Sequence, residues 1–353
     1  MNLNANNRLH LFPKLNKWLI IVFAMALIVA GLRAYQLFQY IFEENIDHPG
    51  SVTIGLDATF QDVLDSLNTH EIIENEKAFR WVAKRKKYAA NIKAGKYVFE
   101  KGMNTNQIVN RLRAGDQEPV LVTFNNLRFI DELAGSVAQR IEPDSLELLQ
   151  YLNDSAVISK HGFDRHSFHA MFIPNTYEFY WTTSPEQFVE RMASEYRRFW
   201  NDDRLAKAEA LGLTPVEVST VASIVQEETI KADEKPRVAG LYLNRIKRGM
   251  LLQADPTIKF AVGDFSIKRV LNKHLEIDSP YNTYKYAGLP PGPINFPEIS
   301  SLEAVLNAEE HNYLYMCASD EFNGYHNFAK TLREHNINAR RYQEALDANN
   351  IWK

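Results

Sequence analysis

The 353-residue sequence contains one cysteine, Cys317, which excludes an intramolecular disulfide and any thiolate zinc cluster. It is also poor in net charge: −4, from 40 Lys and Arg against 44 Asp and Glu. A balance this even leaves no global footprint for nucleic acid or for a strongly acidic partner. No internal repeat or low-complexity stretch is present. H-E-x-x-H, G-x-S-x-G and the P-loop are all missing, which removes the motifs of zinc proteases, α/β-hydrolases and nucleotide-phosphate binders. His161, His166 and His169 form a run, but their spacing suits no helical ligand pair. Neither a metal nor a cofactor is expected.

Long hydrophobic runs are scarce too, with one exception. Residues 18–32, WLIIVFAMALIVAGL, are uninterrupted, and Arg33 is followed by the mostly apolar AYQLFQYIF. Fifteen residues are short for a span of about 20, but 18–42 is long enough if Arg33 snorkels. Arg8, Lys14 and Lys17 precede the run, and Glu43, Glu44 and Asp47 follow it. The positive-inside rule therefore places residues 1–17 in the cytoplasm and everything after the anchor outside. A cleavable signal peptide needs a small-residue site after the apolar core, and GLRAYQLFQYIF has none. The expectation is a retained single-pass anchor with an extracytoplasmic remainder.

At this length, and with 45% hydrophobic residues, the rest of the chain can form two folded domains. The expected fold class is α+β: a transmembrane helix, a small α/β module over 50–116 and a larger mixed α+β domain over 118–353. In the module, 51–54 and 95–99 read as strands. Thr59 with Asp62 caps a short helix, 79–90 reads as a second, basic helix, and 104–107 caps a third. In the larger domain, 120–124 reads as the first strand. Helical patterns follow at 130–140, 145–152, 185–199 and 301–308, and 313–317 reads as a strand.

One helix carries the most information. Thr214-Pro215-Val216-Glu217 is an N-cap, a proline at the first helical position and a capping-box Glu. Val218, Val221, Ala222, Ile224 and Val225 then share one face. Projected forward, that wheel puts Glu228 on the apolar arc and Glu227 on the opposite, solvent side. Desolvation raises the pKa of a buried Glu, and an acid kept protonated near neutral pH can act as general acid in glycosidic cleavage. A structural Glu that holds backbone groups or an Arg fits the same wheel. Downstream, Gln253, Asp255 and Pro256 sit in LLQADPT, where Asp255-Pro256 could also be a simple turn. Tyr281-Asn282-Thr283-Tyr284 precedes the proline-rich Gly288–Pro293 stretch, which must be an ordered loop. Clustered amides, hydroxyls and aromatic rings suit sugars, although such loops often only turn the chain.

ASIVQEET (222–229), VAGLYLNRIKRGMLLQADPT (238–257), YNTYKYAGLPPGPI (281–294) and HNFAKTLREHN (326–336) together resemble the endolytic murein transglycosylases of the MltG, YceG-like type. The likeness runs in order over most of 50–345. It implies a catalytic Glu at Glu228, followed by Thr229, and a LysM-like module at 50–116. It also implies cleavage of peptidoglycan between N-acetylmuramic acid and N-acetylglucosamine without water, leaving 1,6-anhydromuramyl ends, in cell-wall assembly. Gln253, Asp255, Asn282, Tyr284, Asn295 and His326 are the expected substrate-binding residues. Glycan strands are the expected partner, the membrane is met through the N-terminal helix, and cell-wall synthases are further candidates. Two departures stand out. Gln226-Glu227 replaces a common Glu-Lys, and Asn175 replaces the Asp of F-x-P-D-T-Y, so a carboxylate role there lapses. A hydrolytic muramidase with Asp255 assisting water, and a silent glycan-binding scaffold, are the alternatives.

Overall fold

A computed structural model describes residues 17–349; the expected cytoplasmic tail, with Arg8 and Lys14, lies outside them. The chain divides into two compact units, the first ending at Pro119 and the second beginning at Val120.

The first unit opens with helix α1 (Lys17–Phe42), which is long and apolar enough to cross a membrane. It is followed by β1 (Gly50–Ile54), α2 (Phe60–Thr69), α3 (Glu76–Arg85), β2 (Gly95–Phe99) and α4 (Thr105–Ala114). β1 and β2 pair antiparallel, with Gly50 opposite Phe99 and Ile54 opposite Gly95. The caps form as the sequence predicts: Thr59 and Asp62 make a reciprocal capping box on α2, as Asn104 and Gln107 do on α4. The second helix differs from its expected bounds. Asn75 caps it earlier, and Lys87 in the left-handed region (φ 55°) ends it, leaving a short 3₁₀ turn at Tyr88–Ala90. The last turns of α1 pack against the rest of the first unit. Residues 36, 37, 39, 40 and 41 are half-buried, Tyr40 lies 6.5 Å from the Trp81 ring, and Ile41 packs on the unit's core. The remaining 17–35 segment is about 28 Å long, close to the thickness of a bilayer's hydrocarbon core.

The second unit contains two hydrophobic cores. The first gathers the ribbon of β3 (Val120–Phe124) and β4 (Asn175–Phe179), with α5 (Ile130–Ala138), α6 (Ser145–Leu152), α7 (Ser155–Lys160) and α8 (Pro185–Phe199). After α9 (Asp202–Leu211) comes the second core, built around α10 (Pro215–Glu228). Against α10 pack α11 (Lys235–Lys247), α12 (Asp255–Val262) and, beyond the short α13 (Asn272–Leu275), α14 (Ile299–Leu306). A ribbon of β5 (Tyr315–Ala318) and β6 (His326–Ala329), followed by α15 (Leu332–Ala348), completes the unit.

The environment of α10 departs from the amphipathic expectation. All eight residues from 218 to 225 are buried, so through this stretch the helix has no solvent face. The hydroxyls on its expected polar side are satisfied internally. Ser219 and Thr220 donate to the carbonyls four residues back, while Ser223 donates to Thr220 O and accepts from the Ile294 amide. Beyond Val225 the helix emerges again, at Gln226, Glu227 and Glu228.

Candidate active site

Glu228 ends α10, and its position follows from the helix around it. The Thr214–Glu217 capping box and Pro215 fix where α10 starts, and the buried stretch through Val225 fixes its rotation. Glu228 itself is half-buried and open on the cleft side, with its carboxyl group crowded by protein atoms. Tyr242, buried on the neighbouring α11, donates its hydroxyl to Glu228 Oε1 at 2.6 Å. Burial raises the pKa of Glu228 above the ordinary carboxyl value. The Tyr242 hydrogen bond opposes that rise, His326 and Arg245 oppose it further, and the charge of Asp255 adds to it. Burial, followed by the charge of Glu228 and the hydrogen bond to it, drives the Tyr242 phenol well above its usual range, so Tyr242 remains a donor.

The cleft over Glu228 has a volume of about 260 Å³. Arg245, three residues after Tyr242, forms part of its wall and is itself held by the carbonyls of Leu314 (2.6 Å) and Leu252 (2.7 Å). Opposite, 253–255 form a strap tied to the 281–284 loop. Gln253 sits in the left-handed region (φ 49°) and its amide bonds Thr283 O, while the Ala254 amide bonds Thr283 Oγ1. A non-glycine residue held at positive φ is strained and persists only where its surroundings enforce it. Asp255-Pro256 is not a simple turn: it opens α12, with proline in the first turn. Asp255 accepts the Tyr284 hydroxyl at 2.5 Å.

The structure thus brings Gln253, Asp255, Tyr284 and His326 to the cleft beside Glu228. Asn282 and Asn295 go elsewhere. Asn282 is fully buried, and its amide group ties Leu275 O and Ile277 O (2.8 Å each) to the Tyr284 amide. Asn295 is buried against α10, donating to Ser223 O and to Glu227 Oε1 at 2.9 Å. Asn282 spends its hydrogen bonds on its own turn, whose carbonyls and amides need partners away from water, whereas Asn295 gives its amide nitrogen to α10 and keeps a buried Oδ1 with no partner among the described residues. Tyr242, Arg245 and Glu234 are the neighbours that periodicity along a single helix does not reveal. Tyr242 hydrogen-bonds Glu228 and Glu234 hydrogen-bonds His326 across tertiary contacts, while Arg245 shares the cleft wall and acts on Glu228 through its charge; only the repeated presence of polar residues in 234–245 hints at them.

Glu227 faces solvent as the wheel expects, but it is not free there: its side chain is 27% exposed, Arg128 pairs with it at 2.9 Å, and Asn295 donates to it. Arg128 in turn lies 4.6 Å from the centre of the Phe265 ring. Gln226 accepts the Glu298 amide and the Ser301 hydroxyl, pinning α14. Glu227→Gln is therefore expected to cost up to about 1 kcal/mol of stability, the range of a partly exposed ion pair, with any cleavage rate held within about threefold. Thermal unfolding and a turnover assay check both numbers. The three histidines disperse: His161 approaches Glu190, His166 approaches Tyr281, and His169 is buried against Phe296 with its pKa lowered to about 4 by desolvation.

Fold and cleft together define a mixed α+β protein with a protonatable carboxyl group at the floor of an open polar cleft. The YceG-like family matches residues 52–341, and the chain belongs to that family. The endolytic murein transglycosylase of Bacillus subtilis (strain 168) is 32% identical, covering 78% of this chain and 80% of that protein. The endolytic murein transglycosylase of Streptococcus pneumoniae serotype 2 is 26% identical over 91% of this chain, which spans 64% of that protein's length. Among solved structures, a YceG-like protein from Listeria monocytogenes matches with a TM-score of 0.55 and 28% identity, covering 82% of this chain and 98% of that one.

Proposed function

We propose that this protein is an endolytic lytic transglycosylase of peptidoglycan, with Glu228 as its one acid and base. The observation that carries the reading is the carboxyl group of Glu228, held protonatable by burial and oriented by Tyr242 on the floor of a polar cleft. The names of the relatives point the same way. Protonated Glu228 gives its proton to the oxygen between N-acetylmuramic acid and N-acetylglucosamine as the bond to the muramyl anomeric carbon breaks. The resulting carboxylate then takes the proton of the muramyl 6-hydroxyl as that oxygen bonds to the same carbon. The leaving chain gains a hydroxyl, the muramyl residue closes to its 1,6-anhydro form, and Glu228 is returned protonated. An ordinary glycosidase needs a second carboxylate to attack or to activate water. Here the substrate supplies an intramolecular nucleophile at high effective concentration.

In this reading Gln253, Asp255, Tyr284 and His326 hold sugar hydroxyls and N-acetyl groups. The first unit, from about residue 50, serves as a LysM-like glycan-positioning module. α1 anchors the protein in the cytoplasmic membrane with the cleft outside, in reach of cell-wall synthases. Mass spectrometry of glycan ends after incubation with purified peptidoglycan tests the central claim. Anhydromuramyl ends are expected; reducing ends would make the protein a muramidase, and unchanged strands a binding scaffold.

Tyr242→Phe separates orientation from proton transfer. A hydrogen bond donated to the carboxylate favours the ionised form, so its loss leaves Glu228 protonated to higher pH. The alkaline limb of the kcat profile should move upward, and kcat should fall by about tenfold, the value of one hydrogen bond to a charged group. A limb that stays in place or moves downward would mean that the alkaline limb is not the titration of Glu228.

A further inference from the structure

Glu234 stands immediately before α11, where it makes no capping hydrogen bond, and its side chain is 2% exposed. Two donors and a ring nitrogen converge on this buried carboxyl group. The Thr229 hydroxyl reaches Oε2 at 2.8 Å, the His326 amide reaches Oε1 at 2.7 Å, and His326 Nδ1 reaches Oε2 at 2.9 Å. A carboxylate oxygen only accepts hydrogen bonds, so this contact matches a hydrogen on Nδ1 of His326. The helix that begins at Lys235 places its positive N-terminal end beside the same negative charge. Through Thr229 and His326, Glu234 ties the residue after Glu228 to the first residue of β6. The His326 ring forms part of the cleft wall, close enough to Glu228 for its charge to act on that carboxyl group. Among the described residues, no side chain or backbone group hydrogen-bonds Nε2.

We propose that Glu234 is a positioning residue that holds Nδ1–H of His326 on itself, so that Nε2 is presented to a glycan hydroxyl bound beside Glu228. A hydroxyl fits this place in either charge state of the ring, since it can donate to a neutral Nε2 and accept from a protonated one. The second ring nitrogen of a histidine takes its role from the hydrogen bond made by the first. The inference about the ligand rests on the glycan-cleaving reading given above, whereas the Glu234–His326 geometry does not.

The test has two arms. In the first, ¹⁵N shifts of the His326 imidazole are measured on the detergent-solubilised full chain, assigned by their loss in His326→Ala. The wild type should show hydrogen on Nδ1, and Glu234→Gln, whose amide can face the ring with its NH₂, should move the neutral form toward Nε2–H. Hydrogen on Nε2 alone in the wild type overturns the proposal. In the second, turnover of isolated glycan strands should show KM raised by about tenfold in both Glu234→Gln and His326→Ala, with kcat within about threefold, as expected for one lost substrate hydrogen bond. The double variant should be no worse than the weaker single one, because both remove the same interaction. Additive losses would give Glu234 an independent, structural role and sink the idea. If Glu234→Gln does not fold, the wild-type shifts and the KM of His326→Ala still decide. A wild type that leaves glycan uncut while showing Nδ1–H would defeat the proposed function and leave the pair intact.

Discussion

Glu228→Gln should fold as the wild type does and lose glycan cleavage by about 10⁴-fold or more, the upper end of what a single general acid–base group supplies. The amide keeps the shape of the side chain, and its oxygen can still accept the Tyr242 hydroxyl that now reaches Oε1. Stability should therefore change by no more than about 1 kcal/mol. What disappears is the transferable proton, and with it both halves of the reaction, since the group that protonates the leaving oxygen is the one that later deprotonates the 6-hydroxyl. The neighbouring Glu227→Gln provides the contrast, because its carboxylate is committed to Arg128 and Asn295. Anhydro-end production by the two variants, measured beside their unfolding curves, decides the assignment. Near-normal cleavage by Glu228→Gln would end the one-carboxylate mechanism.

Gly292→Ala should be among the most destabilising single changes in the second unit. A Cβ at this position would overlap the carbonyl oxygen of His166, stand 2.5 Å from its carbonyl carbon and lie 3.1 Å from the Ser167 amide nitrogen. These are backbone atoms, and they cannot swing away. Asp164 Oδ1 holds the same segment by accepting from the His166 amide (2.9 Å), the Ser167 amide (2.8 Å) and the Ser167 hydroxyl (2.8 Å). Overpacking of this kind costs about 3 kcal/mol, or a fall in Tm of roughly 6–12 °C for a unit of this size. Gly288→Ala, in the same loop, is the control. Its φ of 89° strains any side chain, yet nothing lies within 4 Å of the added carbon, so a loss of about 1 kcal/mol is expected. If Gly292→Ala unfolds within 2 °C of the wild type, by the same conversion of Tm to free energy, the close packing of this loop on 166–167 is wrong.

Local signals identified most of the elements. The caps at Thr59, Asn104 and Thr214 each satisfy donors within their own turn, which is why four residues of sequence suffice to place them. β3, α6 and α8 begin and end where alternation and periodicity put them. Along 218–225 α10 is buried on every side although Ser219, Thr220 and Ser223 are polar in the sequence, since they return their hydroxyls to their own helix. A hydroxyl satisfied in that way can be buried at little cost. The same limit explains Asn282 and Asn295. An amide in a loop looks available for a sugar until the carbonyls and carboxylates that claim it are known.

By itself, then, the sequence determined the long apolar N-terminal helix, the α+β character, the family likeness and the place of Glu228 at the end of a capped, proline-started helix. These depend on interactions within a few residues, or on runs of composition, and they survive without a tertiary context. Only the tertiary structure decided what surrounds that carboxyl group. Tyr242 is one helix away and Asp255 lies across a strained strap, while His326 is nearly a hundred residues on and is aimed by a buried Glu234. Desolvation and hydrogen bonding at Glu228 are sums over whatever the fold packs against it, and no spacing along the chain encodes that sum.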